Sequence, residues 1–140
     1  MEESSADTEP SLRAGTGRHR LLLIDDNVNE RELYKLALEP EFSVITANRG
    51  ADGLALAESE RPDAIVLDVM MPGMDGWETC TRIKGQPGTA DIPVILLTGT
   101  HDHDLSRQAT AAGASAILIK PCAPERLRRT ILSALRPGDS

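Results

Sequence analysis

Aromatic side chains are nearly absent from this 140-residue chain, which holds one Tyr, one Phe and one Trp (Tyr34, Phe42 and Trp77). A core must therefore be assembled from Leu, Ile, Val, Ala and Met. Cysteine is also scarce. Cys80 and Cys122 form no close-spaced pair and read as small buried side chains in a reduced, cytoplasmic setting. Nothing resembles a signal peptide, and no apolar run approaches the ~20 residues needed to span a bilayer, so a membrane location is not expected. Positive charge is in deficit, with 15 Lys and Arg against 22 Asp and Glu for a net −7. That balance argues against direct contact with nucleic acid, whose phosphates require Lys and Arg. It fits a carboxylate-rich site, and surface solubility explains it equally well. The remaining composition, 40% hydrophobic and 26% charged, suits one globular domain.

Residues 1–19 carry Glu2, Glu3, Asp7 and Glu9 among Ser, Thr, Gly and Pro, with Leu12 the one sizeable apolar residue. Such a segment buries too little surface to offset its ordering entropy and is expected to be a disordered tail. The domain is expected over residues 20–136, with 137–140 a short tail. Leu21-Leu22-Leu23-Ile24 is the first buried-strand candidate, and Asp26 or Asn27 caps the helix after it. That helix shows Leu33, Leu36 and Ala37 at the spacing of one inward face, until Pro40. Phe42 to Thr46 alternates more, as an edge strand does. A helix over residues 50–60 places Leu54 and Ala57 inward.

Pro62-Asp63 turns the chain into Ala64-Ile65-Val66-Leu67, an unbroken branched run suited to a strand buried on both faces, which ends in Asp68. The Pro- and Gly-rich stretch from Met70 to Gly76 then forces a turn, and a helix runs over residues 76–84. Val94 to Leu97 leads to Thr98-Gly99-Thr100. Asp102 or Asp104 opens a helix buried through Leu105, Ala109 and Ala112, which stops at Gly113. Ala116 to Ile119 ends in Lys120-Pro121. A last helix starts at Pro124 and buries Leu127, Ile131 and Leu135. Five alternations of strand and helix predict an α/β fold with a doubly wound, five-stranded parallel sheet. The amphipathic second strand belongs at an edge, which favours the flavodoxin-like order 2-1-3-4-5.

In that order the strand ends bring Asp25, Asp26, Asp68, Thr98 and Lys120 to one edge of the sheet. Taken singly, Asp26, Asp68 and Thr98 also read as helix caps, and Lys120 as an exposed lysine before a proline. Together they form a constellation those readings do not explain. Converging carboxylates repel unless a cation intervenes, and hard oxygen ligands with open water positions suit Mg²⁺. A lysine and a hydroxyl opposite them supply charge and a donor for phosphoryl oxygens. Asp68 thus reads as a carboxylate nucleophile that forms an acyl phosphate.

The motifs LLLIDDN (residues 21–27), IVLDVMMPGMDGWE (65–78), PVILLTG (93–99) and ILIKP (117–121) make residues 20–135 resemble a response-regulator receiver domain of two-component signalling. The resemblance implies Asp68 as phosphoacceptor. It implies Asp25, Asp26, Asp68 and the Met70 backbone carbonyl at a Mg²⁺ site, Thr98 as switch hydroxyl, Lys120 as the partner lysine, and a cis Lys120-Pro121 bond. The donor would be a phosphohistidine on a sensor histidine kinase or phosphotransfer protein, docking near Asn29 and Leu33. The downstream target is unspecified; it would bind the face built from the fourth helix, fifth strand and fifth helix. Such a protein is not an enzyme with turnover. Met70 and Thr100, each two residues past a key position, would tune phosphoryl lifetime. One departure stands out: Ile117 occupies a switch position where receivers often carry Tyr or Phe, which implies switching by smaller rearrangements.

The chain is expected to be either a stand-alone receiver or a module of a hybrid kinase or larger regulator. A Mg²⁺-dependent aspartyl phosphohydrolase of the haloacid-dehalogenase type is disfavoured, because Asp25-Asp26-Asn27 lacks the spacing those enzymes use. A flavin or nucleotide binder of the same fold is disfavoured too, because no glycine-rich phosphate loop follows the first strand.

Overall fold

The computed structural model describes residues 18–100 and 104–135. Strands and helices alternate along the chain as β1 (His19–Ile24), α1 (Val28–Leu38), β2 (Phe42–Ala47), α2 (Gly50–Glu60), β3 (Ala64–Asp68), α3 (Gly76–Lys84), β4 (Val94–Thr98), α4 (Leu105–Ala112), β5 (Ala116–Ile119) and α5 (Pro124–Ala134). Every strand pairing is parallel and the sheet order is β2-β1-β3-β4-β5, the expected arrangement. β2 lies at the edge and buries only its two ends fully, which accounts for its more alternating sequence.

The unbroken apolar runs follow from cover on both sides. Successive strand residues point to opposite faces. Leu22, Ile24, Ile65, Leu67 and Leu96 pack with Ala57 of α2, Cys80 and Ile83 of α3, and Ala109 and Ala112 of α4. Leu21, Leu23, Val66, Ile95 and Leu97 pack on the other side with Tyr34 and Leu38 of α1 and with Leu127 and Ile131 of α5. Trp77 is half-buried against the first layer. No helix among the described residues is long and apolar enough to cross a membrane.

Helix α1 corrects one expectation. Its inward residues are Tyr34 and Leu38, while Leu33 and Leu36 are 58% and 67% exposed and Ala37 is exposed. Both stripes have helical spacing, so periodicity alone does not separate them. Tyr34 wins because its hydroxyl donates to the Cys122 carbonyl (3.1 Å), so its ring is buried with its polar end satisfied. The other helices follow the pattern read from sequence, with Leu135 half-buried just past the end of α5.

Asn27, not Asp26, caps α1, accepting from the Glu30 N–H (3.0 Å). Gly113 closes α4 at φ +85° and Pro124 opens α5. The N-cap of α4 is Asp104; the alternative start, Asp102, lies outside the described residues. β1 begins at His19, one residue inside the segment read as a tail. The rest of that segment, apart from Arg18, and residues 136–140 also lie outside the described residues.

Candidate functional site

Parallel strands all end on the same edge of the sheet, so residues at their C-terminal ends share one rim. Asp25 follows β1 and is tied to β2 by its N–H, which donates to the Ala47 carbonyl (3.1 Å). Asp68 is the last residue of β3 and Thr98 the last of β4. Lys120 follows β5 and is anchored by its N–H on the Thr98 carbonyl (2.7 Å). The Lys120-Pro121 bond is cis, as expected.

The turn after Asp68 is shaped by glycine. Gly76 opens α3, and a Cβ there would lie 2.5 Å from the Asp68 carbonyl oxygen and 2.5 Å from the Val69 Cα. Only a residue without a side chain lets α3 start so close to the end of β3. Asp75 supplies the cap for α3, accepting from the Glu78 N–H (2.9 Å). Asp68 is therefore not a cap, and neither is Thr98, since Asp104 holds that place on α4.

Asp25 and Asp68 are almost fully buried, at 0% and 2% exposure. The Lys120 ammonium lies 3.0 Å from Asp68 Oδ1, which also accepts from the Met70 N–H (3.3 Å). The same ammonium lies 2.9 Å from Glu30 Oε1. One carboxylate oxygen from each of Asp25, Glu30 and Asp68 falls within 4.8 Å of the others. Asp25 Oδ1 accepts from the Asn27 N–H (2.9 Å), whereas its Oδ2 is buried with no hydrogen-bond partner.

The electrostatics follow from this crowding. Burial, only partly opposed by the Asn27 N–H and reinforced by the charges of Asp68 and Glu30, pushes Asp25 up to about 7. Burial also raises Asp68, against the pull of Lys120. For Lys120, burial alone would lower the ammonium, but its hydrogen bonds to Glu30 and Asp68 hold it above the usual lysine value.

Not every expected residue joins the group. Asp26 is exposed and outside the three grouped carboxylates. The Thr98 side chain is buried, and its hydroxyl pairs with the Thr100 hydroxyl (3.1 Å) and accepts from the Thr100 N–H (3.2 Å). Ile117 is half-buried against the apolar layer that holds Leu22, Leu67 and Leu96. Met70 stands at the rim, 60% exposed.

Glu30 is the residue that sequence reasoning missed. Three positions after an Asn cap it reads as a capping-box glutamate, which returns to the cap N–H. That N–H already donates to Asp25, so the Glu30 side chain reaches Lys120 instead. No local signal announces this.

Residues 21–132 match the profile of the response regulator receiver domain. The chain belongs to that family. This receiver is 41% identical over 120 residues to the transcriptional regulatory protein AfsQ1 of Streptomyces coelicolor, covering 85% of this chain and 52% of AfsQ1. It is 36% identical over 120 residues to the protein PilH of Pseudomonas aeruginosa, covering 83% of this chain and 97% of PilH. It spans only 23% of the response regulator PleD of Caulobacter vibrioides, at 42% identity over 103 residues and 73% of this chain. The chain therefore spans about half, or less, of two of these relatives and nearly the whole of the third. Among solved structures, the chemotaxis protein CheY4 of Vibrio cholerae superposes with a TM-score of 0.80 at 31% identity, covering 84% of this receiver and 99% of CheY4. With the family shown, the receiver reading stands over the phosphohydrolase and nucleotide-binding alternatives.

Proposed function

We propose that Asp68 is the phosphoryl acceptor of this receiver, working at a Mg²⁺ site with Lys120 and Thr98. The single observation that carries the reading is the orphaned, buried Asp25 Oδ2 beside Asp68, in a group of three carboxylates two of which share the Lys120 ammonium. A cation meeting Asp25 and Asp68 would relieve that repulsion, and carboxylates with open water positions are what Mg²⁺ selects. Asp25, Asp68 and the Met70 backbone carbonyl would hold it, with Asp26 at the solvent side. Bound Mg²⁺ would supply positive charge against the phosphoryl oxygens.

The chain's own residues do the rest. An Asp68 carboxylate oxygen forms a bond to phosphorus as the bond from phosphorus to the donor imidazole nitrogen breaks, and the imidazole leaves with the electron pair. Lys120 faces Asp68 and offers N–H donors to the phosphoryl oxygens. The Thr98 hydroxyl, on the neighbouring strand end, trades its Thr100 partner for a phosphoryl oxygen. Ile117, packed inward, leaves this exchange to be relayed through β5 and α4 without an aromatic side chain. Met70 and Thr100 tune the approach of water.

The protein is a phosphoacceptor with no turnover chemistry of its own, acting in the cytoplasm. Its donor is a phosphohistidine on a sensor kinase or phosphotransfer protein. The outward stripe of α1 supports docking there, because Val28, Leu33 and Leu36 are all more than half exposed on the helix that starts at the rim. The near-complete match to PilH fits a single-domain setting and the half-length match to AfsQ1 a module of a larger regulator. Either way, output would pass through the face of α4, β5 and α5 to a protein target.

Incubation with acetyl phosphate and Mg²⁺, read by intact mass, is expected to add one phosphoryl group that hydroxylamine removes. Asp68→Asn is expected to abolish it. Equal labelling of that variant would overturn the assignment.

A further inference from the structure

The Lys120 ammonium answers two carboxylates, Asp68 at 3.0 Å and Glu30 at 2.9 Å. Asp68 is the proposed acceptor, but Glu30 has no part in the chemistry so far. It sits in the first turn of α1, where an acidic side chain also favours the helix dipole, and that alone would explain a glutamate pointing into solvent. It does not explain one directed across to β5. Asn27 caps the helix and its N–H is taken by Asp25, so no local backbone donor holds the Glu30 carboxylate back. The carboxylate instead lies within 4.8 Å of oxygens from Asp25 and Asp68 and hydrogen-bonds Lys120.

We propose that Glu30 is a positioning residue that holds Lys120 in the resting protein and competes with the incoming phosphoryl group for its ammonium. The inference rests on Asp68 as acceptor. The Glu30 carboxylate stands on Lys120 where a second anion beside Asp68 would stand, and a phosphoryl group attached to Asp68 is such an anion. Loading Asp68 therefore obliges Lys120 to divide or exchange its hydrogen bonds, while the new negative charge arrives next to a carboxylate already there. Glu30 is 36% exposed at its side chain, so it has solvent to retreat into and can yield without unfolding α1. In this arrangement it sets a resistance to loading and shortens the life of the loaded state.

The test uses the full chain with acetyl phosphate and Mg²⁺, following the rate of labelling and the half-life of the acyl phosphate after donor removal, alongside thermal unfolding. Glu30→Gln keeps the shape and removes the charge. It is expected to load faster and to retain the phosphoryl group longer, each by about two- to fivefold, the range of a half-exposed ion pair. Glu30→Asp keeps the charge in the first turn but is one methylene too short to reach Lys120. If Glu30 acts through Lys120, the aspartate variant loads and decays like Glu30→Gln while unfolding like wild type. If it loads and decays like wild type, the side chain acts by charge at the helix end alone and the inference fails. The inference fails equally if Glu30→Gln matches wild type or loads more slowly. Absence of labelling in wild type, or labelling of Asp68→Asn, would instead sink the acceptor assignment beneath it.

Discussion

Asp25 shows how one residue can be costly to the fold and useful to the site. Its carboxyl is wholly buried, one oxygen lacks a partner, and its protonation midpoint is lifted to about 7 from an ordinary value of about 4. Because the folded value is the higher one, the fold favours the proton. The stability this group contributes is complete below about pH 4 and is lost as pH rises towards 7. Asp25→Asn is therefore expected to gain on the order of 1–2 kcal/mol over wild type at pH 8 without Mg²⁺, and much less at pH 4. Added Mg²⁺ should raise the unfolding temperature of wild type at pH 8 and leave the variant nearly unmoved. Equal gains at both pH values would show that Asp25 is not the strained group. At this scale the sequence was informative wherever a residue ended a strand: Asp25, Asp68, Thr98 and Lys120 could be placed from strand ends alone. It was silent on Glu30, because a side chain three residues past a cap has two routes, and the choice depends on Asn27 and Lys120 being where only the folded chain puts them.

Among the elements, the junction of β3 and α3 has the least tolerance. Gly76 lies against backbone atoms of Asp68 and Val69, which cannot move aside as a flexible side chain could. Gly76→Ala is expected to destabilise the fold by about 1–3 kcal/mol and to slow labelling of Asp68, as α3 is pushed off the end of β3. Denaturant unfolding and acetyl phosphate labelling together check both effects; a variant of wild-type stability would mean that the turn relaxes freely. The boundaries of this element were legible, since Asp75-Gly76 marks a helix start whatever lies around it. The inward face of α1 was not. Leu33 and Leu36 have the spacing and hydrophobicity of a core stripe, and only the carbonyl of Cys122, 88 residues away, makes Tyr34 the better residue to bury.

At the scale of the molecule, the sheet is covered on both faces, and neighbouring residues of β1 serve different layers. Leu22 belongs with α2, α3 and α4, and Leu23 with α1 and α5. Leu22→Ala and Leu23→Ala are each expected to cost about 2–5 kcal/mol in denaturant unfolding, because each leaves a cavity in a dry layer. A sheet with one wet face would make one of them nearly free. This architecture was legible because a doubly covered strand cannot alternate, and β1, β3 and β4 show runs without a polar break. Strand order followed from right-handed crossovers together with the alternation of β2, whose partial exposure marks an edge.

The depth of Asp68 has a consequence for anything that visits it. With 2% of its surface open, the carboxylate is almost wholly screened from solvent, while Met70, two residues on, is 60% exposed. A donor must therefore carry its phosphorus on a side chain that protrudes far enough to meet a recessed oxygen. With Asp68 as the proposed acceptor, water attacking an acyl phosphate there would meet the same burial. On that proposal, whatever side chain screens this oxygen would govern both the arrival and the loss of the signal.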